Sequence, residues 1–232
     1  MSCDGTGNEM SGDRADVCAY CGAPSPETRD HVPPRGAFPS PRPNDLITVP
    51  SCRPCNQSAS VRDERFRAYL SLHVGIDTES TSRLWQQALE GIRHNRALHR
   101  RLLGETERVW LTTAAGVIHG RAYRNLWDSE AHDSTIDRSV RGLYFHHYRE
   151  VLGTQVTVKT HWFRELNDGM VEATAECEQR SIGDGQFVYR FGRALDAPLH
   201  SLWLFQFHKR HWAGGYTSPV GFSVERATSH ES

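Results

Sequence analysis

The sequence predicts an α+β fold in three parts: an N-terminal metal-pinned module of two short strands and a helix, connecting helices, and a C-terminal antiparallel sheet. Three observations carry that prediction. Two Cys-x-x-Cys pairs, Cys18/Cys21 and Cys52/Cys55, supply four thiolates, the donor set of a closed tetrahedral zinc site. Nine of the eleven prolines fall between Pro24 and Pro54, which opposes helix and favours extended chain joined by a rigid loop. Beyond residue 105, short β-rich runs follow one another with turn residues between them.

Taken in order, residues 1–16 are rich in Gly, Ser, Asp and Asn with almost nothing apolar to bury, and are expected to be a disordered tail. Strands are expected at 28–32 and 46–49, with Pro33 to Asn44 arching between them. The thirty residues separating Cys21 from Cys52 leave room for that insert. A helix should begin near Asn56 and run to about His73, with Val61, Phe66, Tyr69, Leu70 and His73 on its apolar face and Gly75 as its stop. A second helix is expected from a Ser80-Thr81-Ser82 cap to Leu103. Its basic last turns, with Arg93, Arg96, Arg100 and Arg101, suit either a helix C-terminus or a phosphate-tracking surface.

The remainder reads as a hairpin at 109–113 and 117–123, then a third helix capped by Ser134 and ended by Gly153. A strand follows at 156–158, a stretch at 170–178 fits helix or strand, and β-runs occupy 186–193, 201–208 and 212–217. Trp203, Phe205 and Phe207 share one face of their strand and Leu202, Leu204 and Gln206 the other, the pattern of a strand buried on both sides. His147, on an apolar helix face, reads as a satisfied core or boundary residue. The run from His208 to His211 reads as a basic turn, with a phosphate contact as the sharper alternative. The expected organisation is thus 1–16 tail, 17–75 metal module, 76–104 connecting helix, and 105–232 an α+β domain serving recognition, dimerisation or regulation.

Composition bounds the function. Hydrophobic content of 38% and charged content of 24% are ordinary for a soluble globular chain of 232 residues. No apolar run of about 18 residues and no signal-peptide pattern occurs, so a cytoplasmic location and no membrane partner are expected. Four cysteines sit in the knuckles, which favours metal over a disulfide framework and leaves Cys3 and Cys177 as free thiols. The net charge is −1, yet Arg29 to Arg67 holds seven arginines against four carboxylates, a local excess of positive charge.

Within the insert, Asp30 offers a carboxylate oxygen and Asn56 an amide oxygen, donors suited to Mg²⁺ or Mn²⁺. His31 titrates near neutrality and can accept a proton from water. Cys18-x-x-Cys21, Asp30-His31-Val32-Pro33, Asn44-Asp45-Leu46 and Ser51-Cys52-x-x-Cys55-Asn56 together resemble the HNH endonucleases in their zinc-bound ββα-metal form. The resemblance spans roughly residues 16 to 75. It implies a structural Zn²⁺ on the four cysteines and His31 as general base. It also implies a catalytic Mg²⁺ or Mn²⁺ on Asp30 and Asn56, with Asn44 bracing the loop that positions the histidine. A basic residue often follows the second knuckle in that family, but here Ser58, Ala59 and Ser60 stand before Arg62. Nucleic-acid contacts are expected of Arg29, Arg35, Arg53 and Arg62.

The function so implied is hydrolysis of DNA phosphodiesters, with RNA not excluded as substrate. A monomer would nick and a homodimer could cut both strands. Two other readings compete: a non-catalytic zinc-folded nucleic-acid-binding module, and a regulatory or sensor component of a defence-type system that meets a protein partner through its C-terminal domain.

Overall fold

The computed structural model describes residues 17–222, so the expected tail at 1–16, with Cys3, lies outside the described residues. The proline-rich stretch forms two antiparallel strands, β1 (Thr28–His31) and β2 (Thr48–Ser51), with Asp30 opposite Val49 and His31 opposite Thr48. The intervening loop passes through one 3-10 turn at Arg35–Ala37 and buries Pro33, Pro34 and Phe38. Prolines fix its path at little entropic cost because their φ is already restricted.

The single helix expected from Asn56 is two: α1 (Arg53–Gln57) and α2 (Ser60–Val74). Serine hydroxyls explain the break. Ser58 Oγ donates to the Cys55 carbonyl and Ser60 Oγ to that of Gln57, offering the backbone an alternative to helical pairing. Val61 and His73, expected on the apolar face, are exposed instead. The buried residues of α2 are Phe66, Ala68, Tyr69, Leu70, Ser71 and Val74. Gly75, at φ 73°, ends it as expected.

Next comes α3 (Glu79–His94), capped by Thr78 rather than Ser80: Thr78 Oγ1 accepts from Thr81 N, and Thr81 Oγ1 from Thr78 N. It stops at Asn95, whose side chain caps α4 (Arg96–Gly104) by accepting from Ala97 N and Leu98 N. A capping asparagine thus divides the expected long helix. The hairpin β3 (Thr106–Thr112) and β4 (Ile118–Asn125) follows as expected and is largely exposed along both strands.

The third helix, α5 (Ser129–Tyr148), begins five residues before Ser134, because Asp128 supplies the cap by accepting from Ala131 N. Then β5 (Val156–Phe163) leads through α6 (Asp168–Ala173) to β6 (Glu178–Ile182), β7 (Phe187–Arg193), β8 (Ser201–Phe207) and β9 (His211–Pro219). These five strands form one antiparallel sheet in the order β5-β9-β8-β7-β6. The α+β class, with a strand–strand–helix unit ahead of an antiparallel sheet, is as expected.

One core runs through all of it. Ile136, Val140, Leu143, Tyr144 and Phe145 of α5 belong to the same buried cluster as Val32, Val49, Phe66 and Leu70 of the metal module and Phe187, Tyr189, Trp203, Phe205 and Phe207 of the sheet. Helix α5 therefore joins the two units through apolar packing. Among the described residues, no helix is long and apolar enough to cross a membrane.

Candidate metal centre and active site

Each Cys-x-x-Cys pair lies on a tight turn. Cys18 N donates to the Ala23 carbonyl and Gly22 N to that of Cys18, with Gly22 at φ 74°. The second pair spans the start of α1, where Asn56 N donates to the Cys52 carbonyl. The four sulfurs lie within 4.8 Å of one another, and Cys21 Sγ is 3.7 Å from Cys52 Sγ. Tetrahedral zinc with Zn–S bonds of about 2.3 Å puts sulfurs about 3.8 Å apart, so the cluster has the donor set and the spacing of a structural zinc site. Burial and its Cys52 and Cys21 neighbours push the Cys55 thiol up. Burial also raises Cys18, but backbone N–H groups from Cys52, Cys21 and Tyr20 outweigh it and hold that thiol at about 7. A cation resolves this crowding, because it favours thiolate over thiol.

The cluster ties α1 to the sheet edge. Asn56 Nδ2 donates to Thr28 Oγ1 at 3.1 Å and to the Arg29 carbonyl at 3.4 Å, so the amide lies against β1 with its oxygen left for another partner. Thr28 Oγ1 in turn donates to the Ser51 carbonyl of β2. Neighbours on a strand face opposite ways. Asp30 accordingly turns inward and is buried, while His31 turns outward and is half-buried.

Asp30 meets α5. Its Oδ2 accepts from Tyr20 Oη at 2.6 Å and from Arg138 Nε at 2.9 Å, with Arg138 Nη2 at 2.7 Å, and its Oδ1 has no protein donor among the described residues. Arg138 also lies over the Tyr20 ring at 3.9 Å. A second carboxylate, Asp63, stands close by and is pushed up to about 7 by burial and by the Asp30 charge, against the pull of Arg138. Asp30 Oδ1 and Asn56 Oδ1 thus carry no protein donor among the described residues. Burial lowers the His31 pKa, Arg35 and Arg42 lower it further, and Asp30 opposes them. The imidazole is therefore neutral near pH 7 and able to accept a proton.

Comparison with protein-family models, with curated proteins and with solved structures finds no match for this chain. The cysteine cluster is the part of the expected likeness that stands on structure alone.

Other expected site residues divide. Asn44 is exposed and its side chain bonds nothing among the described residues. Its neighbour Asp45 anchors the loop instead, accepting from Gly183 N of the β6–β7 turn at 3.1 Å. Arg29 holds Thr48 through Nε and Nη2, Arg62 pairs with Glu130 of α5, Arg53 is exposed on α1, and Arg35 is exposed on the β1–β2 loop, where its charge helps to lower the His31 pKa. His147 is a half-buried boundary residue with its ring satisfied, as expected, stacked on Phe191 and bonded to Tyr189 Oη. His208 and His211 do flank a turn but are buried, with His208 Nε2 on the Ala37 carbonyl, so they do not form a surface phosphate contact. Tyr20 and Arg138 carried no motif signal. Their link to Asp30 joins positions 10 and 108 residues apart.

Proposed function

We propose that the chain is a metal-dependent HNH-type endonuclease acting on DNA phosphodiesters. The observation that carries this reading is the cysteine cluster that sets Asn56 of α1 against the strand bearing Asp30 and His31. A purely structural zinc finger has no use for that trio. His31 takes a proton from water as the water oxygen bonds to phosphorus. The P–O3′ bond breaks, and its oxygen leaves as a 3′ hydroxyl once protonated, leaving a 5′ phosphate. Asp30 and Asn56 would hold a Mg²⁺ or Mn²⁺, which stabilises negative charge on the phosphate and the leaving oxygen. Arg138 and Tyr20 hold the Asp30 carboxylate in place, acting as positioning residues.

Supercoiled plasmid tests the proposal. Wild type should convert it to open-circle or linear form with Mg²⁺ or Mn²⁺ and not with EDTA, and His31→Ala should not convert it. The form produced separates nicking from double-strand cutting. If neither protein cuts with any divalent ion while both shift plasmid in a gel, the chain is a nucleic-acid-binding module instead.

A further inference from the structure

We propose that Arg42 and Arg67, with Arg35 nearby, line a cleft that binds a phosphodiester of the nucleic-acid backbone on the His31 side of the metal module, with Gly91 of α3 as the position that keeps it open. The proposal rests on the nuclease reading of the same site. It assigns to Arg42 and Arg67 the phosphate contact that Ser58, Ala59 and Ser60 cannot make.

The cleft lies between the β1–β2 loop, α2 and α3. A cavity of about 390 Å³ there is lined by Arg42, Arg67, Gln87, Glu90, Gly91 and His94. The Arg67 side chain leaves α2 and passes Gly36, where an added Cβ would sit 3.5 Å from its Cδ. It ends against Gly91, where an added Cβ would come within 2.5 Å of Nη2. Two glycines on different elements thus give one guanidinium its path.

That guanidinium is poorly satisfied. Arg67 Nε is buried with no acceptor among the described residues. Its nearest carboxylate, Glu64, stands at 3.9 Å, beyond hydrogen-bond range, and the other Glu64 oxygen already accepts from Asn95 Nδ2 at 2.8 Å. Arg42 Nε reaches only the Arg35 carbonyl, at 3.4 Å. Burial, then the charges of Arg35 and Arg67, depress the Arg42 pKa. Arg35 and Arg42 also act on His31. Of the two acids nearby, Glu64 is partly engaged and Glu90 is exposed. Clustered cations with unused donors destabilise each other unless an anion joins them. A phosphodiester, with two non-bridging oxygens that match the guanidinium fork, is the anion a nuclease cleft must hold.

The test is fluorescence anisotropy of the full chain with a labelled duplex in Ca²⁺, across a salt series. Arg42→Ala and Arg67→Ala should each weaken binding at least fivefold and flatten the slope of log K against log salt by about 0.9. Gly91→Ala keeps every charge but displaces the guanidinium end, and should weaken binding without lowering the thermal midpoint. Arg83→Ala, removing an exposed arginine already paired with Glu79, should change nothing. Binding within twofold of wild type in all three cleft variants, with the fold retained, overturns the proposal, as does a wild type that binds no nucleic acid. If those variants bind normally while wild type cuts with metal, the cleft fails and the nuclease reading survives. If they lose binding while wild type never cuts, the cleft stands and the catalytic reading falls.

Discussion

The Asp30 carboxylate and the Arg138 guanidinium meet at 2.7 Å, joining β1 of the metal module to α5. Both side chains are largely removed from water, and Asp63 stands nearby as a second acid. Truncating Arg138 would leave Asp30 buried without its cation. Arg138→Met should therefore cost on the order of 3 kcal/mol, as for other buried pairs broken from one side. Urea unfolding checks this, and a loss below about 0.5 kcal/mol would mean that water already screens the pair.

The metal prediction follows from how little else holds α1. That helix has five residues, none buried, and no side-chain cap. Its position depends on the cysteines and on the Asn56 contact to β1. Metal analysis should find one zinc per chain. Cys55→Ser, or a strong chelator, should lower the melting temperature and expose β1 and α1 to rapid hydrogen exchange before the C-terminal sheet. A zinc-free protein with the same melting temperature as the loaded one would remove the structural role.

Much of this site was legible because its chemistry is local. Cysteine spacing and the Asp30-His31 and Asn56 positions lie within one stretch, and the structure draws the four sulfurs together. The sheet was legible from its aromatic runs. What stayed hidden depends on contacts distant in sequence: Arg138 on Asp30, Asp45 on Gly183, and Arg67 against Gly91. Helix ends were misread where short polar side chains compete with the backbone, as Asn95 and Asp128 do by capping and Ser58 by bonding a carbonyl. Val61 shows the other limit. It keeps the helical period of α2 but lies on a face that no other described residue covers.

The buried histidine pair gives a pH prediction. His132 Nε2 and His211 Nε2 lie 3.2 Å apart where α5 meets β9, with both residues almost fully enclosed. Asp133 accepts from His132 Nδ1, which makes His132 Nε2 the acceptor and His211 Nε2 the donor. Burial lowers both pKa values. The nearby charge of His73 adds to this at each histidine, while Asp133 opposes it at His132. The unfolded chain therefore takes up protons below about pH 6.5 that the folded chain refuses, and stability falls as pH falls. Each such histidine contributes a slope of up to about 1.4 kcal/mol per pH unit. His211→Phe should flatten the decline between pH 6.5 and 5, and an unchanged slope would show that the pair is hydrated.

Shared burial predicts shared unfolding. Phe66 of α2 is 1% exposed and packs edge-on to Phe207 of β8 and near His132 and His211. Phe66→Ala should cost about 3–5 kcal/mol. With zinc bound, it should lower the melting of both units together, since one core serves both. Separate transitions for α2 and the sheet would contradict that coupling.

Two helix glycines separate packing from propensity. In an exposed helix interior, Gly→Ala stabilises by up to about 1 kcal/mol. At Gly91 the new methyl group meets the far end of the Arg67 side chain and, at an ordinary contact distance of 3.6 Å, Glu64 Oε1, so the gain should survive. At Gly142 of α5, an added Cβ would lie 2.6 Å and 3.0 Å from the two Val32 methyl groups and 3.3 Å from Tyr20 Oη. Val32 is buried in the shared core beside His31, and a β-branched side chain has few rotamers in which to retreat. Gly142→Ala should therefore destabilise by about 1–3 kcal/mol, the usual cost of overpacking. It should also lower plasmid cleavage beyond what the lost stability explains, because the displaced residue adjoins the proposed base. Val32→Ala placed on the Gly142→Ala background should recover part of both losses, and no recovery would place the strain elsewhere.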